Sequence, residues 1–208
     1  ARLINVTAWF LNAARGEGYT FVDPQNLPSA APGMGGGGGA VPGAGEEEGA
    51  QAPAPARVIS SLSIPGKAIS LIIEGSPDAA SLEVILNQLA RFGARATFFI
   101  PGEHVKNNPQ LAKSILEAGH SLGNYLQRGE SRAEALDSDA VFKSLVAARE
   151  ALTQAGAAGE VFKGSVTALT PELLDLLGKA GVPYAVLPDR YLNHTSFRNA
   201  EQAEGYAR

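Results

Sequence analysis

Residues able to do chemistry are sparse and scattered in this 208-residue chain. The three histidines, His104, His120 and His194, stand far apart, and none has a second histidine or a cysteine at ligand spacing. Cysteine is absent, which removes both a disulfide framework and any thiolate metal site. Glu74 closes the apolar run Ala68–Ile73 and would sit at a strand end. A lone carboxylate there is more often solvated or ion-paired than catalytic. The Gly35–Gly39 run is not a phosphate loop, because no strand pattern precedes it and no Lys-Ser/Thr follows. Asn5-Val6-Thr7 and Asn193-His194-Thr195 match the N-glycosylation pattern at a frequency expected by chance.

The elements that would position these residues read as alternating strands and helices. Ala68–Ile73 has the length and apolarity of a buried strand, and Leu82, Ile85, Leu86 and Leu89 then repeat at helical spacing. Ala96–Ile100 predicts a second strand, Pro109–Ala118 a short helix, and Ser138–Ala155 a longer one with Val141, Leu145, Ala148 and Leu152 on one face. Val161–Lys163 and Tyr184–Leu187 predict further strands. Between them, Thr170-Pro171-Glu172 opens a helix with a cap, a first-turn proline and an early carboxylate, and Gly181 closes it. This order predicts an α/β fold, a parallel sheet or barrel with helices outside, whose working surface lies at the carboxyl ends of the strands. Glu74, Tyr125, Lys163 and Pro188 fall there.

Composition divides the chain into three. Residues 28–57 hold the glycine run, five prolines and the triplet Glu46–Glu48, and read as a flexible, solvated linker. Residues 1–27 show apolar alternation at Ile4, Val6, Ala8 and Phe10 and a second run at Tyr19–Val22, which predicts a strand or hairpin too small to stand alone. Residues 58–208 form the main domain. With 45% hydrophobic and 18% charged residues the chain can bury a core, while a net charge of −4 without any basic cluster argues against a nucleic-acid partner. No apolar run approaches the length of a membrane span; Leu3–Leu11 is short and interrupted by Asn5 and Thr7.

Three segments carry a resemblance: K-A-I-S-L-I-I-E-G-S-P-D at 67–78, R-A-T-F-F-I at 95–100 and G-H-S-L-G-N-Y at 119–125. In order and spacing they resemble the polysaccharide deacetylase family, the chitooligosaccharide deacetylase homology domain. That family reads T-F-D-D-G-P in the first segment and G-N-H-[ST]-x-x-H in the last. The resemblance implies a distorted (β/α) barrel and a divalent metal held by an aspartate and two histidines, with a second aspartate as base. It places the base on Glu74, the ligand aspartate on Gly75, the ligand histidines on Tyr125 and Gly129, and the family's motif arginine on Lys163. All three ligand positions are therefore replaced, and the expectation is a degenerate site with no metal, no cofactor and no catalysis. Lys163 is then the natural ion-pair partner of Glu74, and His120 holds a structural position. The family continues through a further helix and strand bearing an acid histidine. Here the chain stops at Arg208 with E-Q-A-E-G-Y-A-R, so the barrel is expected to be incomplete at its C-terminal side.

The first functional expectation is a non-catalytic structural or assembly protein at the cell envelope or outside the cell, self-associating as a homo-oligomer or polymer. Residues 2–11, with Ile4, Val6, Ala8, Trp9 and Phe10, or residues 18–22 are expected to add a strand to the main domain in the same molecule or in a neighbour; between molecules, head-to-tail addition would build filaments. A second expectation is a metal-independent module for cell-wall glycan, with Tyr125 and Tyr191 as stacking contacts. Residual deacetylase activity is a third. Extracellular or cell-surface localisation follows from the resemblance and the linker alone.

Overall fold

The computed structural model describes residues 2–22, 53–60, 66–192, 196 and 198–207, with side chains from Ala8 onward. Its centre is a seven-stranded, wholly parallel sheet in the order β1-β3-β4-β5-β6-β7-β2. The strands are β1 (Thr20–Val22), β2 (Arg57–Ile59), β3 (Ala68–Glu74), β4 (Ala96–Ile100), β5 (Ser121–Asn124), β6 (Val161–Phe162) and β7 (Tyr184–Val186). Helices α2 (Ala79–Phe92), α3 (Gly102–Asn107), α4 (Pro109–Glu117), α5 (Ser138–Gln154) and α6 (Pro171–Lys179) connect them, and α7 (Ala200–Ala207) follows β7. This is the α/β architecture that the strand–helix alternation predicts. The helix expected at E-Q-A-E-G-Y-A-R is α7.

Local chemistry sets the element ends. The Asp78 carboxylate accepts from Ser81 N–H to start α2, Asp137 caps α5 through Asp139 and Ala140, and Thr170 caps α6 through Leu173. β4 is the most deeply buried strand, with all five residues inside. One core lies between the sheet and α2–α4, with Phe98, Ile100, Leu89, Ile115 and Leu122 at its heart. A second, around Phe162, Leu145, Leu177 and Ala185, lies under α5 and α6.

The N-terminal segment departs from expectation. Residues Arg2–Gly16 form a helix, α1, not a strand. The alternation ends at Ala8, since Trp9, Phe10 and Leu11 are consecutive apolar residues, which a helix accommodates. Phe10, Leu11, Ala13 and Ala14 are buried while Asn12 and Arg15 are exposed, which is helical spacing. Only Thr20–Val22 is a strand, and it pairs with β3 in register Thr20↔Ala68, Phe21↔Ile69, Val22↔Ser70 within the same molecule. Strand addition within this chain is thus made by Thr20–Val22. Of the residues expected to assemble with a partner, Phe10 is covered by α7, its ring 6.1 Å from that of Tyr206 and nearly perpendicular to it. Ala8 and Trp9 are half-buried, and the side chains of Ile4 and Val6 lie outside the described residues.

Residues 28–52, most of the expected linker, also lie outside the described residues. Its last stretch belongs to the domain instead. Ala56 is buried and donates its N–H to Leu174 O at 2.8 Å, and Arg57 begins a strand that pairs with β7. The expected boundary after residue 57 thus falls inside β2.

Candidate functional site

The carboxyl ends of β3, β5 and β6 bring Glu74, Tyr125 and Lys163 together. Register fixes this: Glu74 pairs with Phe99 of β4, Ile100 with Asn124, and Asn124 with Phe162, so the residues that follow β5 and β6 emerge beside Glu74. The turn after β5 is held firmly. The buried Asn124 donates Nδ2–H to Leu145 O at 3.0 Å and accepts from Leu126 N–H at 3.1 Å. Leu126 adopts a positive φ of 61°, an uncommon conformation for a branched residue, and its carbonyl accepts from Gly102 N–H at 2.9 Å.

The Lys163 ammonium lies 2.8 Å from Glu74 Oε1, with Lys163 only 2% exposed and the Glu74 side chain 27% exposed. It also donates to Gly164 O at 2.9 Å and lies 5.5 Å from the centre of the Tyr191 ring. The Tyr125 hydroxyl donates to Glu74 Oε2 at 3.2 Å. Burial pushes the Tyr125 phenol above the usual tyrosine range; a hydrogen bond with Ser165 opposes this rise and the Glu74 charge adds to it. Both carboxylate oxygens of Glu74 are thus engaged, one by a cation and one by a phenol.

Of the positions assigned to metal ligands by the resemblance, Gly75 and Gly129 carry no donor side chain and the Tyr125 hydroxyl is already bonded to Glu74. Gly75 has no side chain and a φ of +112°, and Gly129 has a φ of +70°. A Cβ at Gly129 would lie 2.9 Å from Pro101 Cγ and 3.3 Å from the Tyr125 ring. Zinc-type sites need three protein donors converging on one point with an open position. Among the described residues no three histidine, cysteine, aspartate or glutamate side chains gather in that way. A lysine ammonium already sits on Glu74. The residues do not fit the metal.

The other sequence candidates are dispersed. His120 precedes β5, is 6% exposed, accepts from Ala96 N–H at 3.4 Å and lies 5.7 Å from the Phe98 ring, so it is a packed residue of the core. His104 lies on α3. His194 lies outside the described residues. Tyr125, expected to offer a stacking face to glycan, is 8% exposed with its hydroxyl tied to Glu74, so its ring is not available. Tyr191 is 60% exposed and is open to solvent. Sequence reasoning did not single out Asn124, whose signal was an asparagine directly before the turn, a position where its amide can replace missing backbone partners.

A family profile for polysaccharide deacetylase matches residues 63–158. A peptidoglycan-N-acetylglucosamine deacetylase of Bacillus cereus is 35% identical over 77 residues, covering 35% of this chain and 36% of the relative. A chitooligosaccharide deacetylase of Rhizobium leguminosarum bv. trifolii is 31% identical over 87 residues, covering 42% of this chain and 40% of the relative. The chain thus matches well under half the length of these relatives. Among solved structures, a mutant of a family 4 carbohydrate esterase pseudoenzyme with restored activity aligns with a TM-score of 0.57 at 24% identity, covering 64% of this chain and 48% of that one. The family 4 carbohydrate esterase of Streptomyces lividans aligns at 0.53 and 16% identity, covering 67% and 85%. Both likenesses concern the fold. Profile, relatives and architecture together make residues 63–158 similar to the polysaccharide deacetylase family.

Proposed function

We propose that this chain is a non-hydrolytic member of the deacetylase fold, acting through structure and assembly at the cell envelope or outside the cell. The observation that carries this reading is the Lys163–Glu74 contact of 2.8 Å at the strand ends, where the resemblance expects a metal beside a catalytic base. Amide hydrolysis by this family's route needs a cation that polarises the carbonyl and lowers the pKa of water. A fixed ammonium paired to Glu74 supplies neither an open coordination site nor a free base. Acid–base help alone is worth ~10²–10⁴-fold, far short of what an amide requires. The names of the relatives, peptidoglycan and chitooligosaccharide deacetylases, support an envelope setting.

A second reading, recognition of cell-wall glycan without chemistry, rests on Tyr191, whose exposed ring stands beside the same strand ends. One pair of assays separates the readings. Acetate release from N-acetylated chitooligosaccharides and peptidoglycan fragments is measured with zinc, cobalt or nickel present, and pull-down on insoluble peptidoglycan is compared for the protein and Tyr191→Ala. No release and no Tyr191-dependent retention is expected. Retention lost in Tyr191→Ala would favour the glycan module, and metal-dependent release would overturn both.

A further inference from the structure

We infer that α1–β1 is an exchangeable closing unit of the sheet, and that the β3 edge it covers is a docking site for the same unit of a second copy of this chain. This rests on the assembly reading above but not on the state of the Glu74 site.

The joint between α1 and β1 has the same construction as the joints inside the main domain. Gly18 has a φ of +83°; its N–H donates to Arg15 O at 3.1 Å, and Tyr19 N–H donates to Ala14 O at 3.0 Å. Gly93, with φ +60°, repeats the pattern to Ala90 O, and Ala94 to Leu89 O, before β4. Gly119 and His120 repeat it before β5, Gly156 and Ala157 before β6, and Gly181 and Val182 before β7. This is the paired helix-terminating bond of a left-handed glycine. The segment is therefore a helix–strand unit of the array in its own right, although β2 intervenes in sequence between it and the strand it pairs with.

Its docking surface is specific. Leu11 is fully buried in the core that holds Leu82 and Leu89, and Phe10, Ala13 and Ala14 pack with Ala203 and Ala207 of α7. Lys67 O accepts from Thr20 N–H at 2.9 Å, while Lys67 Nζ donates to Glu17 O at 3.1 Å and lies 5.3 Å from the centre of the Tyr19 ring. A single helix and a three-residue strand hold no core of their own, so the unit is stable only when docked.

The covalent route to the rest of the domain is long. β1 lies at one edge of the sheet and the next strand in sequence, β2, at the other. Residues 23–52 between them could extend over roughly 100–110 Å, long enough for the unit to reach a neighbouring copy. The contacts made in a neighbour would be identical to those made in cis, and exchange of an identical element is a low-cost route to association. Head-to-tail exchange that does not close extends into a chain of copies.

Because the protein has no cysteine, engineered thiols report the pairing directly. Thr20 and Ala68 are register partners across β1 and β3, and neither is a core residue. Single variants Thr20→Cys and Ala68→Cys of the full chain are unfolded in urea, mixed, refolded together at low and high concentration, and oxidised. A Thr20–Ala68 disulfide between the two variants can form only by exchange, and it is expected to rise with concentration well above the homodimers each variant gives alone. The double variant T20C/A68C, refolded dilute, is expected to give an intramolecular disulfide. If the double variant closes internally while the mixed singles never cross-link above background, the pairing is confined to one molecule and the inference fails. If neither forms, β1 does not lie on β3 and the inference fails at its root. Acetate release plays no part in this test, so its outcome and that of the non-hydrolytic reading are distinguishable.

Discussion

Replacing Lys163 by methionine keeps the aliphatic stem in its buried slot and deletes the ammonium. Glu74 then loses its ion pair and keeps only the hydrogen bond from Tyr125. Removing one partner of a fully buried pair costs ~3–5 kcal/mol. Here Lys163 is 2% exposed but the Glu74 side chain is 27% exposed, so water recovers part of the loss, and the expected cost is ~2 kcal/mol. With a urea m-value near ~2 kcal/mol per molar, the midpoint should fall by roughly 1 M. A double-mutant cycle isolates the pair: Lys163→Met, Glu74→Gln and the combination, each followed by urea unfolding. A coupling of about 1–2 kcal/mol is expected, with the double variant more stable than the single effects sum to. A coupling below about 0.5 kcal/mol would refute the reasoning, because a contact of 2.8 Å that contributes nothing is not the organising feature of the site.

Other outcomes follow from the packing and the titrating groups. Gly178→Ala would place a Cβ 2.0 Å from Ala54 O, so it should unseat residues 54–59 from α6 and release β2 from the sheet, read as faster amide exchange at Ala56 and Arg57. Leu11→Ala empties a fully buried position shared with Leu82 and Leu89, and a loss of ~2–5 kcal/mol is expected in chemical unfolding. If α1 did not dock, the change would be close to zero. The Tyr125 phenol is raised by burial and by Glu74. Its neutral form is therefore favoured in the fold, and its contribution is intact below the unfolded value of 10.0 and is lost as pH rises through the folded value. Alkaline unfolding should accordingly be shallower in Tyr125→Phe, and identical pH profiles would argue against it.

The sequence made the main domain legible where burial and local chemistry agree. Ala96–Ile100 is apolar throughout because β4 is covered on both faces, and Thr170-Pro171 marks its helix start with a cap that the structure uses. It failed for α1, where Asn5 and Thr7 make Ile4, Val6 and Ala8 alternate although Trp9, Phe10 and Leu11 then run on unbroken. The better signals were Ala13 and Ala14, three and four residues beyond Phe10, and Gly18 as a helix stop in place of a turn. β2 was hidden because three residues, Arg57–Ile59, carry little pattern and are held by tertiary pairing to β7 and by Ala56 on α6. The meeting of Glu74 and Lys163, far apart in the chain, could be expected only through the family resemblance, since no local spacing encodes it. Burial of Tyr125 was illegible for the same reason: it depends on Gly129, Pro101 and Glu74 arriving from three separate segments.

Metal uptake tests the central claim most directly. The purified protein and Glu74→Gln are equilibrated by dialysis against zinc, cobalt and nickel in turn, and the metal retained per chain is measured by elemental analysis. The side chains at Glu74, Gly75, Tyr125 and Gly129 should retain far less than one ion per chain, with no difference between the two proteins. About one ion per chain, lost in Glu74→Gln, would contradict the reading that an ion pair stands where the family holds its metal.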